Sequence, residues 1–139
     1  MAPRNAFTQP QAGALASARI KKVLGGTYNI LSTDVVASNA VTIAIIPAGF
    51  TIQSISGTFP SLDTGATLTV SVGDATTPAR LVSASTVAQA GGAVPAIIAG
   101  SVLYQYLIDT QILLTFVAGP VAGKTASGTF YLEGFIANP

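Results

Sequence analysis

The sequence predicts an all-β protein: an antiparallel β-sandwich, jelly-roll-like, of about eight strands, carrying an extended N-terminal arm. Three observations lead there. After Gly25 and Gly26 the chain breaks into short runs rich in β-branched and aromatic residues, with turn signals roughly every eight to twelve residues. The clearest of these runs, ATLTVSVG at 66–73, alternates Leu68, Val70 and Val72 with Thr67, Thr69 and Ser71, the period of a strand with one face in a core. No unit of roughly 20 to 50 residues repeats, which excludes solenoids and propellers.

Taken in order, TYNILS (27–32) and VTIAII (41–46) are the first two strands, the second stopped by Pro47, Ala48 and Gly49. FTIQSISGTF (50–59) alternates until Ile55 breaks parity and Gly57 follows, so a bulge or bend is expected near 54–57, and Pro60 closes the run. Strand 66–73 leads through Asp74, Thr76, Thr77 and Pro78 to a short strand at 79–83. The Ala/Gly-rich stretch 84–100 reads either as a surface loop or as two short strands around Gly91 and Gly92. SVLYQYLI (101–108) and QILLTFV (111–117), separated only by Asp109 and Thr110, are expected to form a hairpin. GTFYLEGFIA (128–137) is the closing strand, with Phe130 and Leu132 facing opposite to Tyr131 and Glu133.

Residues 1–26 read as an arm and 27–139 as the sandwich domain. The arm carries Arg4, Arg19, Lys21 and Lys22, four of the six basic residues, and no acid. Pro3 and Pro10 keep its start extended, and nothing in it can form a core alone. Docking on a partner is the expected role, with Arg4, Phe7, Arg19, Lys21 and Lys22 as contacts. Beyond Lys22 the cations are Arg80 and Lys124, too few for the body to bind nucleic acid.

Only 8% of residues are charged and half are hydrophobic, with a net charge of +1; ordinary soluble domains carry about 25% charged residues. Such a surface has little electrostatic repulsion to keep copies apart, so much of it is expected to be covered in an assembly. The uncharged stretch 81–108 is long enough to span a bilayer, but Gly91, Gly92, Pro95 and Gly100 interrupt it, and no membrane helix is predicted. The opening residues, MAPRNAFTQPQ, lack the basic and apolar regions of a secretory signal.

With neither Cys nor His, the chain has no thiolate nucleophile, imidazole base or disulfide, and it lacks the commonest zinc ligands. Its acids are Asp34, Asp63, Asp74, Asp109 and Glu133. All but Glu133 fall in predicted turns, where an aspartate caps its own backbone. Asp63 with Asp74 is the best pair for calcium, yet no calcium-loop spacing surrounds either. There is no G-x-S-x-G elbow, and A-G-K-T around Lys124 departs from a phosphate loop because Gly119 precedes Gly123 by four residues instead of five. No catalytic residue, cofactor or metal is therefore predicted, and the chain is not expected to be an enzyme.

VSVGDATTPARLV (70–82), a strand ending in V-G-D, a Thr/Pro turn, then Arg and an apolar strand, resembles the small decoration or cement proteins of tailed-phage capsids. The closing strand G-T-F-Y-L-E-G-F-I-A is similar too, and the likeness runs from Pro47 onward without covering the arm. It implies a β-sandwich or jelly-roll subunit, a homotrimer bound to the major capsid protein on the capsid exterior of the virion, made in the host cytoplasm. It also implies that Asp74 and Arg80 pair across the turn and fix it. Two alternatives remain: a tail, fibre or portal-vertex structural protein, and a glycan-binding sandwich using Tyr28, Tyr104, Tyr106 or Tyr131. Tyr104 and Tyr106 share a strand face, which favours packing or subunit contact over a sugar platform.

Overall fold

The computed structural model describes residues 19–137. Its strands are β1 (Arg19–Ile30), β2 (Ala40–Ile46), β3 (Phe50–Phe59), β4 (Thr69–Gly73), β5 (Val82–Ser85), β6 (Gly92–Ala93), β7 (Gln105–Tyr106), β8 (Thr110–Ala118) and β9 (Ala126–Ala137). One sheet has the order β1-β9-β3-β6, with β7 also on β3, and the other has the order β2-β8-β4-β5. All pairings are antiparallel. The chain passes repeatedly from one sheet to the other, the winding of a jelly roll. The expected fold class is the observed one, with the two-residue β7 as a ninth strand.

Between the sheets lie Phe50, Phe59, Phe116 and Phe130, with Ile30, Ile46, Ile52, Leu62, Leu68, Leu81, Ile112 and Leu114, all essentially inaccessible. Each such side chain contributes roughly 1.5–3 kcal/mol by leaving water. Leu68, Val70 and Val72 are fully buried as their alternation predicts, although the strand itself starts at Thr69. Ser71, expected on the wet face, is buried as well, because its hydroxyl accepts the Ala84 N–H at 2.9 Å. In β9, Phe130 and Leu132 face the core while Tyr131 and Glu133 face outward. The β3 irregularity falls between Ile52 and Ser54 in its pairing with β9, just ahead of the expected 54–57.

Three expectations change. Residues 19–26, read as arm, form the first part of β1 and pair without a break with β9. Gly25 and Gly26, expected to end the arm, lie inside the strand. Gly25 has φ +112°, and a Cβ there would strike the Phe130 carbonyl oxygen, so glycine permits a close approach that sequence alone makes look like a break. The stretch 84–100 contains the end of β5, a 3₁₀ turn at Val87–Gln89 and one short strand, β6, paired to β3.

The third change is the hairpin of 101–108 with 111–117, which does not form. Only Gln105–Tyr106 is strand there, and it pairs with Phe50 and Thr51 of the opposite sheet. Leu103 takes φ +66°, which ends the extended run. Leu103, Leu107 and Ile108 gave the segment its strand-like hydrophobicity, but all three are exposed. Leu107, Ile108 and Asp109 therefore carry the chain from one sheet to the other. Arg4 and Phe7 lie outside the described residues. Among those residues, no helix is long and apolar enough to cross a membrane.

Candidate interaction surface

The V-G-D turn after β4 is built around one carboxylate. Gly73 is required because a Cβ there would meet the Thr77 carbonyl oxygen and come within 2.6 Å of that of Pro78. The tight turn closes with Asp74 N–H donating to Thr77 O (3.1 Å), and Asp74 Oδ1 accepts the Thr77 N–H at 2.7 Å. Arg80 Nε donates to Asp74 Oδ2 at 2.6 Å and Arg80 Nη2 to Thr77 Oγ1 at 3.0 Å. The same Oδ2 accepts the Tyr106 hydroxyl at 2.9 Å. The Arg80 guanidinium carbon lies 3.9 Å from the centre of the Tyr104 ring, a cation–π distance, and Tyr104 meets Tyr106 edge to face at 4.9 Å.

Two pairs that the sequence suggests separately, Asp74 with Arg80 and Tyr104 with Tyr106, thus form one cluster. Tyr106 is only 5% exposed and its hydroxyl is engaged by Asp74, so it packs within its own chain and is unavailable for subunit contact. Burial would raise the Asp74 pKa, but the hydrogen bonds from Arg80, Thr77 and Tyr106 outweigh it and hold the carboxyl below its ordinary value. Burial first, then the hydrogen bond to Asp74, pushes the Tyr106 phenol up.

Asp63 closes the other end of β4. It is buried, and its oxygens accept four backbone N–H groups: Gly65 (2.8 Å) and Val121 (2.9 Å) on Oδ1, Thr67 and Leu68 (both 3.0 Å) on Oδ2. Burial would raise this pKa as well, and the four donors together drive it far below the usual carboxylate range. The remaining turn aspartates serve other segments: Asp34 accepts from Leu31 N–H and Asp109 from Ala48 N–H, each at 2.9 Å. Asp63 and Asp74, weighed as calcium ligands, are each occupied by their own donors. Among the described residues, no group of three or more acids could hold a metal.

Beside the Asp74 cluster opens a groove of about 670 Å³, lined by Arg80, Tyr104, Gln105, Leu107, Ile108, Asp109 and Gln111 among others. Leu107 and Ile108 are 77% and 72% exposed. Ile45, also exposed, pairs with Gln111 across β2 and β8 and extends this apolar region. Of the arm residues that the structure describes, Arg19 opens β1, Lys21 pairs with Glu133 of β9, and Lys22 is exposed. Tyr28 is buried, with its hydroxyl on the Thr58 carbonyl (3.3 Å), so neither Tyr28 nor Tyr106 offers a ring face to a sugar.

The fold is a two-sheet jelly roll in which Asp34, Asp63, Asp74 and Asp109 each brace a turn or loop. No protein-family model matches the sequence, and no curated protein matches it. Solved structures do share its fold. A chain in the capsid of Ralstonia phage GP4 matches with TM-score 0.70 and 21% identity, over 100% of this chain and 92% of that one. A chain in the Cyanophage Pam1 capsid asymmetric unit matches with TM-score 0.61 and 23% identity, over 99% and 94%. One in the acid-stable capsid of Helicobacter pylori bacteriophage KHP30 matches with TM-score 0.51 and 10% identity, over 86% and 95%.

Proposed function

We propose that this chain is a non-enzymatic structural protein of a phage virion that decorates or cements the capsid by binding the major capsid protein lattice as an oligomer. The observation that carries this is the likeness in fold to the capsid chains of GP4 and Pam1, which spans nearly the full length of both partners in each comparison. The surface supports it: with 8% charged residues and apolar side chains exposed around β7, the molecule is suited to lateral contacts. A homotrimer on the capsid exterior, with the N-terminal arm reaching a neighbouring protein, is the arrangement we favour.

The test is addition of the purified chain to capsids lacking it, with bound copies counted by cryo-electron microscopy. Occupancy repeated over the capsomer lattice is the expected result. Binding confined to the tail or a single vertex would move the chain to a tail, fibre or portal role. Arg4→Ala combined with Phe7→Ala in the full chain should lower occupancy, and unchanged occupancy would remove the arm from the contact.

A further inference from the structure

The strand registers gather the start of β1 and the groove beside Asp74 at one end of the sandwich. Ile20↔Ile136, Ile136↔Phe50 and Phe50↔Tyr106 bring the start of β1 into line with the start of β3 and with β7. In the other sheet, Ile46↔Thr110 and Gly73↔Leu113 hold the end of β2, the start of β8 and the end of β4 together. The short turn 47–49 joins that end of β2 to the start of β3, so both sheets present these ends on the same side. Asp74, Tyr106, Thr110 and Leu113 all line the groove, which therefore opens where the chain enters β1 at Arg19.

Leu107 and Ile108, which line the groove, are the two most exposed large apolar side chains among the described residues, and leaving them in water is unfavourable. Asp109, also in the lining, accepts the Ala48 N–H, but the ion pairs of the described residues are Lys21–Glu133 and Arg80–Asp74, so its charge is uncompensated. Residues 1–18 have the complementary composition: Phe7, Leu15 and several alanines, with Arg4 and no acid. From the start of β1 to β7 is three strand spacings, about 14 Å, which about five extended residues span. The rest of the segment is free to line the groove. Tethered at the groove's own end of the sandwich, it meets that groove at an effective concentration of about millimolar, ahead of the same segment of any other copy in dilute solution. We propose that in the free chain residues 1–18 fold back into their own groove, covering Leu107 and Ile108 and bringing Arg4 to Asp109. This goes beyond the function proposed above, in which the arm reaches a neighbouring protein: on assembly the arm leaves the groove and uncovers apolar side chains for lateral contact.

The sequence has no cysteine, so Leu107→Cys or Ile108→Cys in the full chain gives a single thiol at the groove for a benzophenone photo-crosslinker. Val121→Cys is the control: Val121 is 65% exposed, and its N–H binds Asp63 at the other end of β4. Circular dichroism reports the fold of each variant. Irradiation of dilute protein, followed by denaturing mass spectrometry and peptide mapping, should give products with the mass of one chain, linked from position 107 or 108 into residues 1–18. Position 121 should give no such link, and Arg4→Glu should lower the yield about threefold, as for loss of an exposed ion pair. Links from the groove into 1–18 no more frequent than from position 121, or a yield unmoved by Arg4→Glu, overturn the proposal. Products that join two chains overturn it too, because the arm of a second copy is then the occupant. None of these outcomes touches lattice binding, which the capsid assay judges by itself.

Discussion

At the start of β4, Asp63 gathers four backbone N–H groups from two loops, whereas at its end Asp74 gathers two side chains, Arg80 and Tyr106, and a single backbone N–H. The two carboxylates are alike in burial and in the direction of their pKa shift. They differ in what they organise. Backbone donors are indifferent to side-chain identity, so the Asp63 end fixes the course of the chain, tying the turn after Leu62 to the loop through Val121. Side-chain donors depend on Arg80 and Tyr106 being present, so the Asp74 end fixes a surface, positioning Tyr104 and the groove beside it.

Removing each carboxylate should separate these roles and give the largest effects. Asp63→Ala leaves four inward-turned N–H groups without an acceptor, and we expect a greater fall in Tm than for Asp74→Ala. Asp74→Ala strips the acceptor from Arg80 and Tyr106. Because the Arg80 side chain keeps 17% exposure and some solvation, the loss should be about 2–4 kcal/mol instead of the full cost of breaking a buried pair. Denaturant unfolding of both variants decides the order. If Asp74→Ala were the more damaging, backbone capping would not be the stronger of the two devices.

Acid should sharpen the same contrast with a smaller effect. Both carboxyls titrate below their ordinary value of 3.8 when folded, so the stability they contribute is fully present above that pH. It is lost as pH falls below 3.8 towards each folded pKa, because the unfolded chain takes up protons first. Tm should therefore be level between about pH 7 and 5 and decline below about pH 4. The Tm difference between wild type and Asp63→Ala should shrink over that acid range. A constant difference would show that Asp63 does not carry the linked protons.

Much of this was legible in the chain because it is local. The alternation of Leu68, Val70 and Val72 fixes a core face whatever the partner strands are, and Asp74 lies six residues from Arg80, within reach across one turn. What escaped was non-local or depended on backbone geometry. Val121 reaches Asp63 from 58 positions away, and Tyr106 reaches Asp74 from 32, with no spacing rule to announce either. Gly25 and Gly26 carry the composition of a linker, and only the approach of the Phe130 carbonyl shows why a strand needs glycine there. Leu107 and Ile108 misled for a related reason: apolar residues predict a buried strand, and a single sequence does not reveal that these two stay exposed.

Tyr106 gives the finest test, since Tyr106→Phe keeps the ring against Tyr104 and deletes one of the three hydrogen bonds to Asp74. The expected cost is about 1–2 kcal/mol, as for one bond to a charged acceptor that keeps its other partners. The alkaline limb adds a check on the buried, hydrogen-bonded phenol. The folded phenol pKa is raised above 10.0, so the stability it contributes is present below pH 10 and is lost as pH rises beyond it. Tyr28, whose phenol burial also pushes up, responds equally in both proteins and cancels in their difference. The advantage of wild type over Tyr106→Phe should therefore narrow above pH 10, and one that stayed constant there would mean that burial and Asp74 together do not hold the Tyr106 proton.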